Sequence, residues 1–121
     1  MLARSQRITK EADYNEVYRL GRSARGRLAT CVAAGLPETT RVGVVASRRV
    51  GGAVERNRAK RRLRHAAREL LQGLPREGWH IVLIATPATG TVDYGQLLDE
   101  LRRMLAELGV YGSKSSPPAG I

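Results

Sequence analysis

Phenylalanine is absent from this 121-residue chain, and all aromatics together make up only 4% of it. A core must therefore be aliphatic and rich in alanine. The apolar fraction of 42% is close to ordinary globular usage and excludes a wholly disordered basic tail. A lone cysteine, Cys31, cannot close an internal disulfide, which excludes a cross-linked secreted scaffold and a cysteine-based zinc site. The longest apolar run, Ile81 to Ala85, is far short of the ~20 residues that cross a bilayer. Residues 1–7 hold no apolar stretch of the secretory type, so the expectation is a soluble, cytoplasmic protein without a membrane partner. The length suits one domain.

Acidic residues are also scarce, and unevenly so. There are 21 Lys and Arg against 11 Asp and Glu, a net charge of +10. Residues 48–68 carry nine cations (Arg48, Arg49, Arg56, Arg58, Lys60, Arg61, Arg62, Arg64 and Arg68) against Glu55 alone, a net +8. Residues 1–27 carry +4, residues 28–47 balance, and residues 69–121 carry −2. Lysine is rare among the cations, at Lys10, Lys60 and Lys114 only. Arginine's planar fork grips phosphate with two hydrogen bonds and stacks on bases. A clustered excess of this kind points to a polyanion, nucleic acid before an anionic membrane, and to no small-molecule substrate.

The periodicities lay out the elements. Thr9 to Leu20 reads as a short helix, with Thr9 as cap, Glu11 and Asp13 at its positive end and Gly21 ending it. Tyr14, Val17 and Tyr18 share one face. Arg22–Arg27 is a basic connector with room for a short strand. Leu28–Ala34 and Val42–Ser47 read as strands separated by a turn at Gly35-Leu36-Pro37-Glu38. A glycine loop, Arg48 to Ala53, leads into a helix from Val54 to Gln72 that Gly73 closes. Its Ala59, Leu63, Ala66, Ala67, Leu70 and Leu71 form an apolar stripe, with Asn57, Arg61, Arg64 and Arg68 roughly opposite. Lys60 lies on one flank, and Arg58 and Arg62 on the other.

Trp79–Thr86 is nearly all apolar, as a strand covered on both faces would be. Asp93 with Gln96 starts a last helix to Leu108, with Leu97, Leu98, Leu101, Met104, Leu105 and Leu108 facing a core. The fold class is α+β, an α-β sandwich of one mixed sheet packed by helices, in the order αβββαβα. Residues 1–110 read as a single polyanion-binding domain, and 111–121 as a Gly/Ser/Pro-rich disordered tail.

The chemistry lies in Val50-Gly51-Gly52-Ala53-Val54-Glu55-Arg56-Asn57-Arg58-Ala59-Lys60-Arg61-Arg62-Leu63-Arg64. Free amides at a helix start favour anions, and a dense guanidinium field behind them makes a site for several phosphates. A solvated helix face held by salt bridges would mix both signs, and this one does not. A protein-based nuclease would need acidic metal ligands or a histidine base beside the phosphates. Glu55 stands alone in the block, and His65 and His80 have no carboxylate partner at a readable spacing. No catalytic residue and no protein metal ligand is expected. Cys31 reads as a buried strand residue and Trp79 as core or boundary.

The run Arg56 to Arg64, preceded by Val50 to Val54, resembles the "RNR" signature of the bacterial ribonuclease P protein subunit. Arg7-Ile8-Thr9-Lys10, Tyr14, Val17-Tyr18 and Gly21 resemble that family's first helix. Arg41-Val42-Gly43-Val44 and Ser47 to Gly51 resemble its strand into the motif. The resemblance implies a basic subunit that joins a catalytic RNA and assists removal of the 5′ leader from precursor tRNA. Mg²⁺, bound mainly by the RNA, is the implied cofactor, and ribonuclease P RNA and precursor tRNA are the implied partners. It also implies a left-handed βαβ crossover, against the usual hand.

Arg56, Asn57, Arg58, Lys60, Arg61 and Arg64, with Arg48, Arg49 and Arg68, are then the expected RNA-binding set. Tyr14, Tyr18 and Arg22 are the expected leader-binding set, the tyrosines offering stacking surfaces. Leu28, Thr30, Cys31 and Val32 stand in a strand where that family usually places an aromatic. An alternative from a different class is a structural RNA-binding protein, ribosomal or chaperone-like, with no role in cleavage.

Overall fold

A computed structural model describes residues 6–110 apart from 73, 75 and 76. The elements are α1 (Glu11–Leu20), β1 (Arg22–Arg25), β2 (Ala29–Thr39), β3 (Arg41–Val45), α2 (Ala53–Leu71), β4 (Glu77–Ala85) and α3 (Tyr94–Glu107). Gly73, expected to close α2, and the tail from residue 111 lie outside the described residues.

The four strands form one mixed sheet in the order β1-β2-β4-β3. β4 runs antiparallel to β2 and parallel to β3, so it is central. That position explains its unbroken apolar sequence, because both of its faces are covered. Ile81, Leu83 and Ala85 pack with Cys31 and Ala33 of β2 against the stripes of α2 and α3. Val82 turns the other way, with Val32 and Ala34, against Val17 of α1 and Ile8. The molecule therefore has three layers, with α2 and α3 on one face of the sheet and α1 on the other.

The periodic stripes land where the sequence puts them. Ala59, Leu63, Ala66, Ala67 and Leu70 of α2 are buried, as are Leu97, Leu101, Met104 and Leu105 of α3. Leu71 and Leu98 are only partly buried at the margins of the same core. Asp93 caps α3 by accepting from the Gln96 amide at 3.3 Å.

Local readings fail at four places. The expected turn at Gly35–Glu38 is strand: β2 runs on to Thr39 and pairs with Glu77 of β4 after a register shift between Gly35 and Thr39. A proline is tolerated there because an irregular stretch of ladder does not need its missing N–H. Thr9 does not cap α1; the cap position is Lys10, without a side-chain bond. The Ile8 amide is tied to the Val42 carbonyl at 3.0 Å, which holds the chain extended and leaves Thr9 one residue early.

Ser47, expected in a strand, instead starts a 3-10 turn over Arg48–Val50 by accepting from the Arg49 amide at 3.3 Å. Finally, both histidines do have carboxylate neighbours. His65 lies 3.6 Å from Glu69, and the buried His80 lies 3.4 Å from Glu38. The second pairing spans two strands and cannot be read from spacing.

Candidate nucleic-acid interface

The connection from β3 to α2 sets up the basic helix. Gly51 has φ of 143°, a backbone that side chains rarely adopt, and a Cβ there would stand 2.9 Å from Cβ of Glu55. Gly52 then takes the cap position of α2 without a side-chain bond, so the amides of the first turn face outward beside Arg56. The two glycines thus start the helix abruptly at the end of the sheet and present its positive end.

Along α2, Asn57, Arg58, Arg61, Arg64 and Arg68 are exposed, while Arg56 and Lys60 are half-buried. Asn57, Lys60, Arg61, Arg64 and His65 line a concavity of about 530 Å³ on this face. Carboxylates elsewhere find partners, as in Arg19–Glu16, Arg41–Asp13 and Arg103–Glu107. Among the described residues none of Arg48, Arg49, Arg56, Arg58, Lys60, Arg61, Arg64 and Arg68 joins an ion pair. The eight cations repel one another, and a bound polyanion would relieve that repulsion.

The two flanks of α2 differ. Arg62 donates to the Thr89 carbonyl at 2.8 Å and so ties the helix to the loop after β4. That loop is itself anchored, Thr89 donating to the Leu28 carbonyl at 2.6 Å. The aliphatic stem of Arg58 lies along the same loop beside Gly90. On the opposite flank Arg64 reaches past the edge strand β3. With Arg7, Thr9, Tyr14 and Gly43 it lines a small pocket of about 100 Å³. The Nε of Arg7 is buried and has no hydrogen-bond partner among the described residues. Two guanidinium groups and a phenol thus converge around the end of the sheet, linking the α2 face to the α1 face.

Tyr14 closes this junction. Its hydroxyl donates to the Ile8 carbonyl at 3.1 Å. Burial raises its pKa, while the Val44 amide and the Arg64 charge oppose that rise. Tyr18, one turn on, is exposed, and burial of its inner edge and then the neighbouring Tyr14 raise its pKa. On this side of the sheet the pairing Val45–Ile84–Thr30–Arg25 runs in one row across all four strands. Val45, Ile84 and Thr30 are half-buried. The row is a shallow floor that begins at the basic junction and ends on an arginine.

The ribonuclease P family model matches residues 2–109. The chain belongs to the ribonuclease P protein family. It is 43% identical over 105 residues to the ribonuclease P protein component of Ruegeria pomeroyi, covering 84% of each chain. To that of Dehalococcoides mccartyi it is 40% identical over 106 residues, covering 85% of this chain and 84% of the relative. The ribonuclease P protein of Staphylococcus aureus superposes with a TM-score of 0.76 at 24% identity, covering 89% of this chain and 99% of that one. That of Thermotoga maritima gives 0.69 at 24%, covering 84% and 94%. The last two likenesses establish that the ribonuclease P protein fold is the fold described above.

Within this fold Arg48 and Arg49 are exposed in the turn that leads into α2. The aromatic pair Tyr14 and Tyr18 is on the other side of the sheet, joined to α2 through Arg64. Arg22 is not on that side. It pairs with Ala33, whose side chain enters the α2–α3 core, so alternation sends Arg22 to the opposite face and Arg25, paired with Thr30, to the α1 face. Arg7 and Arg25 are the residues that the motif did not point to. The parity of Arg25 within β1 was the available signal for one; Arg7 stood in the run that resembles the family's first helix, with nothing in the sequence to place it beside Arg64.

Proposed function

We propose that the chain is the RNA-binding subunit of a ribonuclease P ribonucleoprotein. Its α2 face docks on the catalytic RNA, and its α1 face receives the 5′ leader of precursor tRNA. The observation that carries this reading is the unpaired guanidinium field of α2, which continues around the β3 edge through Arg64 to Arg7 and Tyr14. A single RNA-bound surface would need only the first part. Continuity onto a second, aromatic-bearing face fits a protein that holds two RNA segments at once.

In this reading Arg48, Arg49, Arg56, Arg58, Lys60, Arg61, Arg64 and Arg68 contact phosphates, and Asn57 takes a base edge or a 2′-hydroxyl. Tyr14 and Tyr18 give the leader a stacking edge, and the Val45–Ile84–Thr30 floor gives it a surface without base-specific donors. Arg25 neutralises a leader phosphate at the far edge. Phosphodiester hydrolysis belongs to the RNA and its Mg²⁺. In this reading the protein's part is to bind, orient and neutralise.

The test is reconstitution. Purified protein is added to a ribonuclease P RNA with precursor tRNA at low magnesium. Cleavage and substrate affinity both rise over RNA alone if the reading is right. RNA binding with no change in cleavage would favour a structural RNA-binder instead.

A further inference from the structure

His65 follows directly on the Arg56–Arg64 run and lines the α2 concavity beside Asn57, Lys60, Arg61 and Arg64. Its side chain is 62% exposed, so it is free to meet a ligand there. Unlike the arginines around it, it is held from two helices. Its Nε2 stands 3.6 Å from Oε1 of Glu69. The same oxygen accepts from the Tyr94 hydroxyl of α3 at 2.9 Å. The Tyr94 ring centre lies 5.3 Å from that of His65, tilted by 53°.

We propose that His65 is a phosphate-contacting residue of the RNA face whose contact forms only when the ring is protonated, with Glu69 and Tyr94 as its positioning residues. The proposal rests on the RNA-binding reading above. Glu69 faces Nε2 and favours a proton on that nitrogen. With its proton on Nε2, a neutral ring carries a lone pair on Nδ1, which repels a phosphate oxygen. Protonation converts the same atom into a donor and adds a positive charge. Imidazole makes this change between about pH 5 and 8.

The surrounding charges act in both directions. On α2, Lys60, Arg61, Arg62, Arg64 and Arg68 oppose protonation and Glu69 favours it. From α3 comes Tyr94, a neutral donor that keeps the Glu69 carboxylate in place. A bound phosphate tips this balance, so RNA binding and proton uptake promote each other to the same extent.

The experiment is equilibrium binding to a ribonuclease P RNA at constant ionic strength, from about pH 5.5 to about 8.5. The intact protein should bind about three- to tenfold more tightly at the acid end, one added charge contact among many. His65→Gln should bind independently of pH, at the affinity the intact protein has at the alkaline end. His65→Lys should bind independently of pH and near the acid-end affinity. In an NMR titration the His65 midpoint should move up by about 0.5–1 pH unit on adding RNA, the same fold-change seen from the proton's side. Tight, salt-sensitive binding that ignores pH, or a pH dependence that survives in His65→Gln, overturns the proposal and leaves the RNA-binding reading intact. Absence of salt-sensitive RNA binding at any pH overturns that reading itself.

Discussion

The phenol of Tyr14 occupies the space that a side chain on Gly43 would need. A Cβ at that position would stand 2.6 Å from both the hydroxyl oxygen and Cε1 of Tyr14. The glycine of β3 is thus the seat of the α1 aromatic, and the hydroxyl is held in turn by the Ile8 carbonyl. Gly43→Ala should displace the ring and cost about 1–3 kcal/mol, the range for overpacking a tight site. Thermal unfolding measures that cost. Leader affinity, compared between precursor and mature tRNA, should fall in the same variant if Tyr14 touches the leader.

Stability and RNA binding should separate cleanly on α2. Leu63 is completely buried in the main core, and Leu63→Ala should cost about 2–5 kcal/mol in chemical denaturation. Arg61 is exposed and joins no ion pair among the described residues, so Arg61→Ala should leave the unfolding midpoint within about 0.5 kcal/mol of the parent. The same change should weaken RNA binding measurably. An Arg61→Ala protein that binds RNA as tightly as its parent would remove this face from the interface.

Salt should act strongly on complex formation. A surface that neutralises six to ten phosphates loses about 10³–10⁵ in affinity between about 50 and 200 mM salt. Measured over that interval, Arg64→Ala should lower the slope of log affinity against log salt by about one phosphate's share. An affinity that hardly responds to salt would point to an interface dominated by bases or apolar contacts.

The alkaline side of the stability profile should be steep. Burial pushes the Cys31 thiol up from 9.0 to about 12. For Tyr94, burial first and then the hydrogen bond and charge of Glu69 push the phenol up from 10.0 to about 12. Both groups hold their protons more tightly folded than unfolded. Their contribution is therefore complete below about pH 9 and is lost as pH rises toward about 12. The melting temperature should fall across that window. At neutral pH, Cys31 should react with an alkylating agent only as fast as the whole molecule unfolds, because its side chain is fully buried.

Much of this molecule is legible in its sequence, and for local reasons. The α2 and α3 stripes repeat at the helical period, so Leu63 and Leu101 declare themselves as core. The central strand shows as an unbroken apolar run because β4 is covered on both faces. The crowding of cations in residues 48–68 marks a phosphate-binding surface without reference to any fold, since like charges on one helix have no other stabilising partner in reach.

What the sequence hides is non-local. Thr9 is a good cap residue by type, but the bond from Ile8 to Val42 decides where α1 starts. Pro37 looks like a turn until β4 supplies a partner strand for the residues around it. Glu38 lies beside His80 only because β2 and β4 pair.

By itself, then, the sequence determined the order of elements, the aliphatic core and the helix that must meet a polyanion. These follow from periodicity and charge within a few turns of chain. The tertiary structure alone decided which arginines act together. Arg7 and Arg64 are 57 positions apart and meet only because the first residues lie along the β3 edge while α2 passes the same edge. Arg25 rather than Arg22 faces the α1 side because antiparallel pairing with β2 sets the parity of the strand. Side chains alternate across a sheet, so a register fixed by the whole fold assigns each charge to one surface or the other.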